Sequence, residues 1–491
     1  MEFGSGIQFL QDKTILVTGA TGFLAKIFLE KILRMQPKVK KIYLLLRAAD
    51  AKAASLRFQN EAIGKDLFRL LKERFGANLN SFISARTVLV AGDISVGDDL
   101  GIGDSNLREK MWNELDVVVN LAATTNFDER YDVALGINTL GAKHVLCFAK
   151  KCVKLKSFVH VSTAYVAGEK AGLILETAYQ MGESLNGVKG LDVAEEKRLI
   201  EATLAELEAK GAAVEEIKEA IKDLGLDRAK FYGWPNTYVF TKAMGEMLVG
   251  QLKEDMPVVV IRPTIITSTY REPFPGWIEG VRTIDSLAVA YGKGRLTCFL
   301  GDLNAIVDVI PADMVVNSMI VAMVAHANQP SYAIYQVGSS VRNPVKYSDL
   351  KDFGFRYFTK KPWIGKDGKA VRVGKVKVLS NMASFRRYMA LRYLLFLKGL
   401  EFANTAFCHY FDGVYSDLNR KIKSVMRLVE LYRPYLFFRG VFDDMNTEKL
   451  RMAARENGME NEVFYFDPKC INWDDYFMNI HMPGAVKHVF K

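Results

Sequence analysis

The chain has 491 residues, 49% of them hydrophobic and 25% charged, and carries a net charge of +10. Its length and balance exclude a disordered or low-complexity chain and allow a large core in two or more lobes. The basic excess suits a polyanionic small molecule, an anionic membrane or nucleic acid, and equally a soluble protein with spare lysines.

The first element is the apolar, β-branched run from Lys13 to Val17, the pattern of a buried strand. A glycine turn follows, Thr18-Gly19-Ala20-Thr21-Gly22-Phe23-Leu24-Ala25, and then Phe23, Ile27, Phe28, Ile32 and Leu33 recur at helical spacing. A strand entering a helix through such a turn leaves unpaired N–H groups at the helix start, a seat for a diphosphate. Gly19 allows the tight turn, Gly22 the close approach of phosphate, and Ala25 close helix–strand packing. The spacing is Gly-x-x-Gly-x-x-Ala, so an ordinary strand–helix turn is the competing reading.

Further buried strands are expected at Lys41–Arg47, Thr87–Ala91, Asp116–Ala122, Ser157–Ser162 and Met256–Arg262. Helical patterns lie at Glu61–Arg74, Val133–Lys150 and Asn236–Leu252. The alternation predicts an α/β fold with a doubly wound parallel sheet. A Glu-, Lys-, Ala- and Leu-rich stretch at Asp192–Leu224 reads as one or two surface helices, within an insertion at about 170–232. From about Pro263 turn chemistry and short strands such as Ala333–Val337 are expected to close over substrate, up to about Val378. From 379 to 491 the pattern is mainly helical, with Tyr415–Tyr432 strongly amphipathic; the division is therefore 1–378 and 379–491.

No run is long and apolar enough to span a bilayer. The nearest, Tyr388–Phe407, is broken by Arg392, Lys398 and Glu401. It reads as a buried amphipathic helix, with a position along a membrane surface as the other reading. Cys147, Cys152, Cys298, Cys408 and Cys470 lack metal-ligand spacing and suit reduced thiols in the cytosol. The first strand starts so early that neither a signal peptide nor a plastid transit peptide is expected.

The chemistry-bearing pattern is Tyr238-Val239-Phe240-Thr241-Lys242. Residues four apart share a helix face, so phenol and ammonium look the same way. A nearby ammonium is expected to lower the tyrosine pKa and make Tyr238 a usable proton donor. The fifth strand ends in Ser162 and Thr163, where ligands gather in such sheets, and a hydroxyl there can bond a carbonyl oxygen gaining charge. Thr163 is the first choice and Ser162 the second; the other one would satisfy backbone. Tyr165 lacks a lysine four residues on. Arg47 follows the second strand, where a guanidinium suits a 2′-phosphate and hence NADPH, the alternative being a solvated arginine. Asp93 and Ile94 are placed beside adenine, and Ala122 and Thr124 near the ribose. Asn138 is expected to fix backbone.

The glycine turn with Tyr238 and Lys242 resembles the extended short-chain dehydrogenase/reductase superfamily, with its Rossmann-type sheet. Longer strings narrow the resemblance: Asn120–Tyr131, Gly233–Lys242, Ile261–Ile266, Glu272–Trp277 and Ile310–Met314. They are similar to plant alcohol-forming fatty acyl-CoA reductases of the jojoba type, over nearly the full chain. The C-terminal part resembles that family's male sterility domain. The resemblance implies reduction of a long-chain acyl-CoA to a primary alcohol with two NADPH, and no nucleic acid partner. Gly19, Thr21, Gly22, Phe23, Leu24, Pro263, Ile265 and Lys242 would hold the cofactor, and Thr163 with Tyr238 the developing oxyanion. Peripheral membrane association at the cytosolic face of the endoplasmic reticulum is also implied. Thr163 and Tyr238 stand farther apart than in ordinary short-chain dehydrogenases, because of the insertion. Rival readings are a reductase that stops at the aldehyde, or a non-catalytic NADPH-binding scaffold, which would tolerate loss of Tyr238 or Lys242.

Overall fold

A computed structural model describes residues 6–296, 298–407, 410–459 and 463–490; Cys408 lies outside them. Seven parallel strands form the central sheet: β1 (Thr14–Thr18), β2 (Lys41–Leu46), β3 (Thr87–Ala91), β4 (Val117–Asn120), β5 (Ser157–Val161), β6 (Pro257–Pro263) and β7 (Ser331–Val337). Their order is β7-β6-β5-β4-β1-β2-β3. The order reverses beside β1, between β4 and β2, and a crevice opens there at the carboxyl ends. All of β1, β4, β5 and β6 is buried, as a sheet covered on both faces requires.

The helices that matter for the site are α1 (Phe23–Met35), α2 (Gly141–Lys150), α3 (Val193–Ala209), α4 (Val214–Phe231), α5 (Thr237–Leu252), α6 (Thr283–Gly292), α7 (Ala312–Ala325), α8 (Met382–Met389), α9 (Leu395–Ala406) and α10 (Asp412–Leu436). Asp192 starts α3 by accepting from the N–H groups of Ala194 and Glu195 at 2.8 and 3.0 Å. The expected insertion is thus a pair of helices, and its inner side packs on α5 through Ile200, Ile221, Trp234 and Val239.

Three expectations are corrected. The helix drawn over Glu61–Arg74 is interrupted, because the chain turns at Gly64-Lys65, where the Lys65 N–H meets the Ala62 carbonyl at 3.0 Å. Ala333–Val337 is no part of a lid; it belongs to the seventh strand of the main sheet, in register with Val259–Pro263. α7, in the same stretch, is wholly buried and packs beside α1 and on the sheet. The segment Tyr388–Phe407 is not a buried helix: Leu391, Leu395, Phe396, Phe402 and Phe407 face solvent, while Met389, Leu397 and Asn404 are covered.

The stretch after 379 does two different things. α8 and α10 share a small cluster with Leu300 and Leu379. Residues from 440 onward return to the main body: Gly440–Phe442 pairs with Gly172–Ile174, and Leu450, Trp473, Tyr476 and Phe477 join the core that contains Ile15 and Val17.

Candidate active site

Gly19 has φ +65°, and a Cβ there would lie 2.8 Å from the Ala122 Cα. Only glycine fits that turn between two strand ends. Thr18 Oγ1 donates to Asn120 Oδ1 at 2.7 Å and accepts from the N–H groups of Leu121 and Ala122 at 3.2 Å. Those bonds hold β1 and β4 level where the crevice opens. Gly22 begins α1 with no side-chain cap, so the first-turn N–H groups stay free for an anion. Ala25 is buried beneath them. The turn therefore fits a dinucleotide diphosphate.

The adenine side lies over β2 and β3. Arg47 is exposed at the end of β2. A second guanidinium, which the sequence reading missed, stands closer to the turn: Arg57 donates to Thr21 Oγ1 at 3.2 Å and to the Arg47 carbonyl at 2.8 Å. Asp93 is half-buried and accepts from the Ser95 N–H and hydroxyl at 2.9 and 2.8 Å. Ile94 packs its side chain, buried, against Gly141 at the start of α2. Thr124 exchanges two bonds with Asn138, which also donates to Thr241 at 3.1 Å. Asn138 thus fixes backbone, as expected.

The reacting groups meet where β5 and α5 converge. Asn236 caps α5, its side-chain oxygen accepting from the Val239 N–H at 3.1 Å. Trp234, just before it, donates from Nε1 to the Val166 carbonyl at 2.8 Å and pins the helix to the turn after β5. One turn beyond Lys242, Glu246 forms a buried ion pair with Arg262 of β6, which also donates to the Thr177 carbonyl at 2.8 Å. α5 is thus held at its start and again past its middle.

Tyr238 is half-buried and hydrogen-bonded to Thr163. Its pKa is not lowered as expected. Burial pushes it up to about 12, partly offset by Thr163 and the Arg282 guanidinium. Lys242 is buried too, which lowers its pKa to about 8, and its ammonium donates to the Val161 carbonyl at 2.7 Å. Desolvation outweighs the pull of the Thr163 hydroxyl and the Arg282 guanidinium on the phenol. Tyr238 accordingly stays protonated through the neutral range and is ready to donate.

The two hydroxyls differ in their partners. Thr163 Oγ1 accepts from the Tyr165 N–H at 3.3 Å and lies 3.5 Å from the Pro263 carbonyl, besides bonding Tyr238. Ser162 Oγ is buried in the same wall with no partner among the described residues. A buried hydroxyl without a partner is a donor short of an acceptor. Beneath it lies another group that the sequence reading passed over. His160 is fully buried, its Nδ1 3.1 Å from Asn120 Nδ2, and burial with the Lys242 charge keeps it neutral.

These groups open into one cavity of about 1030 Å³. Gly22, Phe23, Leu24, Ser162, Thr163, Tyr238, Lys242, Pro263 and Ile265 all line it. Gly19, Thr21, Arg47, Asp93, Ile94, Ala122 and Thr124 do not. Beyond Tyr238 the wall becomes apolar: Ile278, Ile284 and Leu287, then Tyr393, Leu397, Leu418, Ile422, Val429 and Leu436. Phe274 stands outside, stacked under Arg69. Over the phenol lies an aromatic cluster, with Phe127 centred 5.4 Å from Tyr238 and 5.2 Å from Tyr435. Asn236 Nδ2 reaches the Tyr435 hydroxyl at 2.8 Å. α10 is tied down by Arg427, which meets Asp128 at 2.7 Å and Asp223 at 2.9 Å.

Two family models match the chain, at residues 17–319 and 392–491, and both are described as male sterility protein. An alcohol-forming fatty acyl-CoA reductase of Simmondsia chinensis is 61% identical over 99% of both chains. Fatty acyl-CoA reductase 1 of Arabidopsis thaliana is 56% identical, again over 99% of both. Among solved structures, the terminal R domain of the myxalamid PKS-NRPS pathway aligns with 97% of this chain and 91% of its own, at TM-score 0.56 and 17% identity. The reductase domain of a nonribosomal peptide synthetase from Mycobacterium tuberculosis aligns with 97% and 93%, at TM-score 0.56 and 18% identity. At such identities these structures speak for the fold alone.

Proposed function

The chain belongs to the male sterility protein family of fatty acyl-CoA reductases, and from that premise we propose that it reduces a long-chain acyl-CoA to the primary alcohol with two equivalents of NADPH. The observation that carries this reading is the continuity of the cavity. Protonated Tyr238, buried Lys242 and the unpartnered Ser162 hydroxyl stand between a diphosphate seat and a long apolar wall. A sugar-nucleotide enzyme has no use for that wall.

The reduced nicotinamide supplies a hydride at the carbonyl carbon when bound. The protein's own groups do the rest. Gly19 to Phe23 would hold the diphosphate, and Lys242 would bind the nicotinamide ribose. The acyl chain runs along Ile284, Leu397, Ile422 and Val429, which exclude water and set the carbonyl against Tyr238. Oxyanion charge is met by the Tyr238 and Ser162 hydroxyls, and Tyr238 gives up its proton because an alkoxide is the stronger base. The hemithioacetal returns its hydroxyl proton to the Tyr238 phenolate and expels CoA thiolate to give the aldehyde. A second hydride and a second proton from Tyr238 give the alcohol. Thr163 orients the phenol throughout. Arg57, with Arg47 beside it, favours a cofactor carrying a 2′-phosphate.

The test is to incubate the purified protein with NADPH or NADH and acyl-CoAs of graded length, identifying products by mass spectrometry. Fatty alcohol with two NADPH consumed per CoA released is expected. Aldehyde accumulating at one NADPH per CoA would replace this reading with a two-electron reductase.

A further inference from the structure

Helices α8 to α10 wall the apolar end of the cavity with their inner faces and carry bare apolar side chains on their outer ones. Leu391, Leu395, Phe396, Phe402 and Phe407 are 59–79% exposed. Of the 23 large apolar side chains that stand exposed among the described residues, nine fall between 391 and 428. Single exposed apolar residues are ordinary, but a cluster of this kind marks a contact surface. Phe396, Val425 and Leu428 are both exposed and part of the cavity wall, so the apolar end of the cavity opens through the patch.

The patch is also basic. Residues 382–436 hold nine lysines and arginines against four aspartates and glutamates. Arg387, Arg392 and Lys398 are exposed alongside the apolar groups. Among the described residues no helix is long and apolar enough to cross a membrane. Apolar side chains rimmed by cations, on helices that do not span, match the chemistry of an anionic lipid surface. A second copy of the chain would bring two like-charged faces together, which disfavours it.

We propose that α8–α10 dock on an anionic membrane surface and that the acyl chain passes between bilayer and cavity through the mouth at Phe396, Val425 and Leu428. The passage rests on the acyl-CoA reading of the cavity; the docking does not. An insoluble alcohol then leaves directly into lipid, without crossing water.

The test uses the full chain and vesicles of phosphatidylcholine, alone or mixed with phosphatidylserine, in co-sedimentation without substrate. Binding to the mixed vesicles is expected, weakening with salt. The double variant Phe402→Ser/Phe407→Ser, remote from the cavity wall, should bind at least about tenfold more weakly. Its NADPH oxidation with a short, soluble acyl-CoA should match the parent. Arg387→Gln/Arg392→Gln should lose most of the preference for anionic vesicles. The proposal is overturned if the parent ignores both vesicle types, or if neither variant changes binding. It is equally overturned if the parent is a dimer that Phe402→Ser/Phe407→Ser converts to a monomer without affecting vesicle binding. Intact docking with no turnover of any acyl-CoA would remove the passage and the reductase reading together, and leave the membrane contact standing.

Discussion

The two ends of the cavity are built by different physics. The nucleotide end is made of backbone: a glycine at φ +65°, strand ends levelled by Thr18, and a helix start without a side-chain cap. The acyl end is made of side chains on α6 and on α8 to α10, the last seated by aromatic contacts and a few ion pairs around Arg427. Backbone geometry leaves little room for substitution, whereas an apolar wall can be repacked. One end defines a cofactor closely and the other admits a class of substrates.

The largest expected effect falls between the two ends. Tyr238→Phe should lower kcat by about 10³-fold while NADPH affinity, read by fluorescence titration, stays nearly unchanged. Full activity in that variant would end the assignment. Next comes the burial of Lys242. With its pKa at about 8 when folded and 10.5 as the ordinary value, the unfolded chain binds more protons between those limits. Stability therefore rises with pH across that window, by up to about 3 kcal/mol. Lys242→Met should flatten the rise in denaturant unfolding followed from pH 7 to 10.

The two hydroxyls separate chemistry from scaffolding. Ser162→Ala breaks no hydrogen bond within the described residues and should leave the melting temperature in place, yet cost roughly 10²-fold in kcat. Thr163→Val should cost about 1–2 kcal/mol of stability by stranding the Tyr165 N–H. A reversed pattern would return the oxyanion role to Thr163. The smallest effect belongs to the acyl end: Arg427→Gln should raise KM for acyl-CoA about fivefold and change kcat less, with high salt imitating it in the parent. An equal change in KM for NADPH would mean the two ends are not separable.

Much of this was legible from residue order, because buried parallel strands are continuous apolar runs and β1 to β6 announce themselves. β7 was legible as a short strand at Ala333–Val337 but not as part of this sheet: it lies after turns, α6 and α7, so its partner β6 is invisible locally. Tyr238 and Lys242 were found by their spacing, but the direction of the phenol's pKa was not, since burial is a property of the packed molecule. The preference between Ser162 and Thr163 turned on a position, whereas the structure distinguishes them by which hydroxyl already has partners. For Tyr388–Phe407 periodicity revealed an amphipathic helix but could not say what, if anything, covers its apolar side. Arg57 was missed because it lies ten residues past the end of β2's motif, on a helix whose direction no local pattern specifies.

A single carboxamide joins the two ends. Asn236 uses its oxygen on the start of the catalytic helix and its nitrogen on Tyr435 of the helical cover. If the cover lifts, that nitrogen loses its companion, and the mount of the acid loosens with it. A stubby aldehyde that leaves the upper tunnel vacant should therefore meet a less well-aimed proton than a fatty one that fills it. Chain-length selectivity should then show in turnover as well as in affinity, with little reductant consumed on small carbonyls.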